Sequence, residues 1–203
     1  MLAAIVLAAG ESTRMGTPKA LLRDGDGHPF VVRVARTFHA AGIDEVIVVT
    51  GTHHDAIVAA LEGDRVAAMP RVVRNADPAR GQLSSLWVGV DAAGRANLEA
   101  ILMTLVDVPM VKETTVRAVV DAWRRHRPPI VRPAIGERHG HPVLFDRAVF
   151  DELRRAPLAG GAKAVVHAHE GSLVNVEVDD EGCVTDVDTP ADYDALLQRS
   201  KRS

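Results

Sequence analysis

Apolar and polar positions along this chain switch repeatedly between a strand-like and a helix-like period. MLAAIVLAA (1–9) is a short, unbroken apolar run with β-branched residues at its centre, the pattern of a strand buried on both faces. PFVVRVARTFHAAG (29–42) has helical spacing and closes at Gly42, EVIVVTG (45–51) is a strand, and HHDAIVAALEG (53–63) is a helix that starts at His53 and His54. A short strand at 71–74, a helix at 82–94, a central strand at 100–109 and a helix at 113–126 continue the series. Strands separated by crossover helices predict an α/β fold with a mostly parallel sheet between two helical layers, a three-layer Rossmann-like arrangement. From PPIVRPAI (128–135) onward the strands shorten, and HGHPVLF, DRAVFDELRRA and VVHAHEG predict a small antiparallel insertion that covers one substrate. The terminal LLQRSKRS reads as a frayed helix end. No linker, repeat or low-complexity stretch divides residues 1–203, so one domain is expected.

Composition narrows the class. A chain of 203 residues with 47% hydrophobic content can bury a full core. The net charge of -3 and the scatter of Lys and Arg argue against nucleic acid as a partner, which calls for a clustered basic face. No apolar run approaches the roughly 20 residues that span a bilayer, and the N-terminus lacks the basic start and cleavage site of a signal peptide, so no membrane role and a cytoplasmic location are expected. The single cysteine, Cys183, excludes an internal disulfide and a cysteine-only metal site; between Gly182 and Val184 it reads as a packing residue at a strand edge.

Candidate chemistry begins where the first strand ends. LAAGESTRMGTPKALL (7–22) combines glycine-rich backbone with two cations, the makings of a phosphate-binding loop. Gly10 and Gly16 allow tight turning, Arg14 and Lys19 carry positive charge, and Pro18 stiffens the exit. Two familiar phosphate loops are excluded: Gly16 is followed by Thr17 and Pro18 rather than by the Lys of a P-loop, and after Gly10 no glycine comes before Gly16, which breaks the dinucleotide fingerprint.

Asp107 is the first charge after the run AILMTLV, at the carboxyl end of a central strand where α/β sheets bind ligands. A hard cation such as magnesium suits that place, since it takes one or two carboxylates and leaves its other positions to water and phosphate; the alternative is a turn residue at the strand end. Near the C-terminus, TDVDTPADY (185–193) contains a helix start, with Thr189 as cap, Pro190 in the first position and Asp192 in the first turn. Asp188 precedes that cap and either pairs with Asp107 around a metal or is a solvated loop acid; Asp186 is its rival. In RGQLSSL (80–86), Ser84 and Ser85 are equally suited to a ribose or phosphate and to capping a helix. RHGHPVLF (138–145) puts His139 and His141 around Gly140, placed to face an anion or a planar ring, without the third ligand that zinc requires.

Taken in order, the nucleotide loop, the strand ending LVDVP, GQLSSL, GHPVLF and DVDTPADY resemble MobA-like nucleotidyltransferases over nearly the whole chain. LAAGESTRMG and GHPVLF are most similar to the molybdenum cofactor cytidylyltransferase branch. The resemblance implies a Rossmann-like nucleotidyltransferase domain that moves a cytidylyl group from CTP to molybdopterin and releases pyrophosphate. It implies nucleotide binding by Leu7, Ala8, Ala9, Gly10, Ser12, Arg14, Lys19, Ser84 and Ser85. Arg14, Lys19 and Asp107 would be catalytic, and Asp107 and Asp188 would hold Mg2+. Gly140, His141 and Pro142 would face the acceptor, and a molybdoenzyme or its chaperone would be a further partner. Guanylyl-transferring relatives commonly carry AGG where this chain has AAG, so Ala9 favours the smaller pyrimidine base; the GQLSSL segment departs from relatives that have a methionine and a further serine before the leucine. A GTP-dependent or sugar-phosphate nucleotidyltransferase and a non-catalytic nucleotide-binding or cofactor-chaperone protein are the alternatives.

Overall fold

The computed structural model describes residues 1–12, 15–64, 68–94 and 97–200. β1 (Leu2–Ala8) is buried beyond its first residue and lies inside the sheet. Its side chains alternate: Ala4, Val6 and Ala8 face one apolar layer, while Ala3, Ile5 and Leu7 face the other. A strand covered on both sides needs apolar residues at every position, which accounts for the unbroken run in the sequence.

α1 (Phe30–Ala40), β2 (Glu45–Thr50), α2 (His54–Gly63), β3 (Arg71–Arg74), α3 (Gln82–Ala92), β4 (Ala100–Leu105) and α4 (Glu113–His126) follow in the expected order. β5 (Ile130–Ile135), β6 (Arg138–His139), β7 (Val143–Asp146), α5 (Phe150–Arg155), α6 (Gly161–Ala168), β8 (Val174–Glu177) and α7 (Pro190–Ser200) complete the described chain. One sheet runs in the order β3-β2-β1-β4-β7-β5-β6, with β8 paired to β5. Phe30 and Phe38 of α1, Ile57 of α2, Trp123 of α4 and Leu196 of α7 pack on one face. Leu83 and Leu86 of α3, Phe150 and Leu153 of α5 and Val165 of α6 cover the other, giving the three layers expected.

The pairs β1–β2, β1–β4 and β2–β3 are parallel, and β4–β7, β7–β5 and β5–β6 are antiparallel. Three details depart from the sequence reading. The strand expected over 100–109 ends at Leu105, because its partner β1 ends at Ala8 and offers no further ladder. Val106 still donates to the Leu7 carbonyl at 3.1 Å, and the Val108 N–H then folds back to Leu105. The insertion is only partly antiparallel: β8 runs parallel to β5, and DRAVFDELRRA and VVHAHEG contribute α5 and α6. Cys183 lies in a short 3₁₀ turn (Glu181–Val184) rather than at a strand edge; burial, with the Asp180 charge adding to it, pushes its thiol up to about 11. The last residues of LLQRSKRS, 201–203, lie outside the described residues.

Candidate functional site

β2 and β3 lie to one side of β1 and β4 to the other, so the crossover direction reverses at the β1–β4 boundary. Crevices form outside the carboxyl ends of strands at such switch points. Here the crevice is a cleft of about 370 Å³, with Leu7, Ala8, Ala9, Gly10 and Ser12 along one wall and Pro78, Gly81, Gln82 and Ser85 along another. Pro18, Lys19, Leu105, Val106, Asp107 and Asp188 complete the lining.

The loop after β1 is held by its own polar groups. Met15 donates its N–H to the Ser12 carbonyl, Gly16 takes the left-handed conformation at φ +64°, and the Ser12 hydroxyl accepts the Lys19 N–H at 2.9 Å. Ser12 therefore fixes the backbone from which Lys19 projects. Arg14, the other cation expected here, lies outside the described residues.

Lys19 joins the two distant carboxylates. Its ammonium donates to Asp107 Oδ2 at 2.8 Å and to Asp188 Oδ1. Burial opposes the charge on Lys19, but the hydrogen bonds to Asp107 and Asp188 together with the charges of those carboxylates outweigh it and raise the ammonium pKa above its ordinary value. A backbone bond of 2.9 Å from Val187 N–H to the Asp107 carbonyl brings the two acidic loops together. The helix start predicted beyond Asp188 is present: Asp192 accepts from the Thr189 N–H at 2.8 Å and from the Asp188 N–H at 3.2 Å. Asp188 is thus aimed at the cleft by an ordinary capping arrangement.

The other oxygen of Asp107, Oδ1, is buried and has no hydrogen-bond partner among the described residues. Such an acceptor is costly unless something else meets it. Together with Asp188 it is a hard oxygen donor set, suited to a divalent cation that completes its shell with water and phosphate. No group of three or more His, Cys, Asp or Glu converges among the described residues, so these two carboxylates would hold such an ion without an all-protein cage. Asp186 stands within electrostatic reach; partial desolvation, then the Asp107 charge, pushes its carboxyl up.

The remaining expected residues divide. Ser85 lines the cleft, whereas Ser84 does not and donates its hydroxyl to the Gly81 carbonyl at 2.7 Å. Gly140, His141 and Pro142 are not among the lining residues. Gly140 is there because a Cβ would fall 2.3 Å from the Cys183 carbonyl oxygen, and the His141 N–H donates to that same oxygen at 2.8 Å. Burial lowers the His141 imidazole pKa, while Asp186 and Asp107 act electrostatically on the ring. The turn is packed beside the acidic loops rather than open to the cleft. Sequence reasoning missed Pro78, Gly81 and Gln82 in the lining; the turn-forming run NADPARG between β3 and α3 was the available signal.

Residues 4–173 match the MobA-like NTP transferase domain. The chain belongs to this family. Among curated relatives, nicotine blue oxidoreductase of Paenarthrobacter nicotinovorans is 33% identical over 95% of both chains. A probable molybdenum cofactor guanylyltransferase of Mycobacterium avium is 27% identical over 97% of this chain and 95% of its own, and the Escherichia coli molybdenum cofactor cytidylyltransferase is 24% identical over 96% and 95%. Of solved structures, Rv0371c of Mycobacterium tuberculosis H37Rv superposes with a TM-score of 0.82 at 32% identity, covering 97% of each chain. The same protein in complex with manganese gives 0.73 at 28%, covering 97% of this chain and 98% of its own. The MobA-like domain and these homologues make the chain a nucleotidyltransferase by class, and divalent-metal dependence is common in this fold. No helix of the described residues is long and apolar enough to cross a membrane.

Proposed function

We propose that the chain, acting as one domain in the cytoplasm, transfers a cytidylyl group from CTP to a molybdopterin-type acceptor with release of pyrophosphate. The observation that carries the reading is the convergence of Lys19, Asp107 and Asp188 at the mouth of a cleft walled by the loop after β1. The acceptor's terminal phosphate is already an anionic nucleophile, so the reaction needs alignment and charge neutralisation rather than a strong general base. Its oxygen forms a bond to the α-phosphorus as the bond to the β-phosphate oxygen breaks, and pyrophosphate carries the electron pair away.

Lys19, and Arg14 from the same loop, would neutralise the triphosphate. Asp107 and Asp188 would hold magnesium, which when bound offsets the charge that builds on the departing pyrophosphate. Ala8, Ala9 and Gly10 would lie along base and ribose, and Ala9, which lines the cleft, carries a methyl that the AGG loops of guanylyl-transferring relatives lack. The 140–142 turn would act on the acceptor side from beside the acidic loops, and a recipient molybdoenzyme or its chaperone would collect the product.

The test is pyrophosphate release from CTP or GTP with magnesium, with and without molybdopterin. Pterin-dependent release from CTP alone is expected. Release from GTP alone overturns the choice of base, and no pterin-dependent release overturns the acceptor. A second reading has an observation of its own: the relative named for an oxidoreductase activity matches 95% of the chain. Protein-dependent oxidation or reduction of nicotine blue with an added electron acceptor or donor, without pyrophosphate release from any triphosphate, would favour it.

A further inference from the structure

At the end of β3, a neutral polar knot lies behind the wall of the cleft opposite the loop after β1. Asn75, Ser84 and Ser85 are 5%, 4% and 3% exposed, so each proton must find an acceptor within the protein or on a ligand. The Asn75 Oδ1 accepts the Asp77 N–H at 3.0 Å. A backbone N–H can only donate, which fixes the amide orientation and turns Nδ2 toward the serines. Nδ2 donates to Ser84 Oγ at 2.9 Å and to Ser85 Oγ at 3.0 Å, using both of its protons. Ser84 passes its own proton to the Gly81 carbonyl. Ser85 accepts from Asn75, no acceptor among the described residues takes its proton, and Ser85 is one of the residues that line the cleft. The Asn75 backbone N–H is anchored in turn on the Thr50 carbonyl at 2.8 Å, which ties the knot to the end of β2.

We infer that Asn75 is a positioning residue for nucleotide binding: by donating to Ser85 Oγ it leaves the Ser85 hydroxyl as a hydrogen-bond donor into the cleft, available to a ribose hydroxyl or phosphate oxygen of a nucleoside triphosphate. This rests on the nucleotide reading proposed above and adds the group that sets the donor's direction. Asn75→Asp keeps the volume and the acceptor for the Asp77 N–H but replaces the donor with a carboxylate. The Ser85 proton then has an acceptor inside the knot and turns away from the ligand.

The test is calorimetric titration of the intact chain with CTP and magnesium for wild type, Asn75→Asp, Ser85→Ala and the double variant, with thermal melts alongside. Asn75→Asp and Ser85→Ala are each expected to weaken binding about tenfold, the size of one hydrogen bond, and the double variant to weaken it no further. In pyrophosphate release, KM for the nucleotide should rise while kcat stays within about twofold. Losses that multiply in the double variant, or wild-type affinity in folded Asn75→Asp, overturn the inference alone. Asn75→Ser serves if the carboxylate prevents folding; it removes the amide donors, and wild-type affinity there overturns the inference equally. Wild-type protein that binds neither CTP nor GTP overturns the nucleotide reading and the inference together.

Discussion

Two polar clusters flank the same cleft and are built in opposite ways. Lys19, Asp107 and Asp188 are ionic and only partly buried, and one carboxylate oxygen of Asp107 lacks a partner among the described residues. Asn75, Ser84 and Ser85 are neutral and buried, with the amide and one hydroxyl committed inside the protein and the Ser85 proton without an acceptor among the described residues. An ionic cluster can exchange one cation for another without altering the backbone, whereas a buried neutral network resists rearrangement because any broken bond leaves a desolvated group. The first is suited to charge that arrives and departs, the second to holding a wall in place.

Breaking the ionic cluster should have the largest effect. Lys19→Ala is expected to lower turnover by about 100-fold or more, because charge stabilisation of a transferring phosphoryl group is lost, while the melting transition stays cooperative. Near-normal kcat in the folded variant would remove Lys19 from the mechanism. Asp107→Asn and Asp188→Asn should come next, each displacing the magnesium dependence of activity to higher concentration. Asp107→Asn should do so more strongly, since Asp107 is the more buried of the two and holds the unpartnered oxygen. Manganese binding followed by electron paramagnetic resonance checks this without turnover, and an unaltered titration in either variant would exclude that residue as a ligand.

In the neutral cluster the expected damage is to stability. Ser84→Ala takes one acceptor from Asn75 and the donor from the Gly81 carbonyl, a loss of about 1 kcal/mol that corresponds to about 2–4 °C in melting temperature for a chain of this size. Added salt should leave that difference in place, because no ion pair is involved. A variant as stable as wild type would show that the knot does not hold the wall.

The two clusters were also unequally legible in the sequence. Asp107 directly follows an apolar run whose burial any periodicity reading detects, Lys19 sits in the glycine-containing loop that follows another, and Thr189-Pro190 announces the helix start that aims Asp188. The allocation of protons among Asn75, Ser84 and Ser85 leaves no such trace. Two adjacent serines at a helix start look alike until the bond from Ser84 to Gly81 separates them. Gly140 was legible as a position that matters, but periodicity does not reveal which backbone passes over it, and the Cys183 carbonyl accounts for it as packing. The parallel pairing of β8 with β5, inside an insertion expected to be antiparallel, was not legible for the same reason: an apolar alternation shows which face is buried and not which neighbour a strand adds to.

The smallest effect should come from the residue that aims the ionic cluster without touching its cation. Asp192 is half-buried, and the Thr189 hydroxyl and N–H donate to its carboxylate, which lowers its pKa. A carboxylate whose folded pKa is depressed stabilises the fold above its unfolded value, and that contribution is lost as pH falls through the lower folded value. The cap is therefore intact at neutral pH and releases the Asp188 N–H only in acid. Asp192→Asn removes the charge but keeps one oxygen for the Thr189 N–H, so at neutral pH the magnesium dependence should move less than in Asp188→Asn. Both variants are read by the same manganese titration. A displacement as large as that of Asp188→Asn would make the cap, rather than the Asp188 carboxylate, the element the metal depends on.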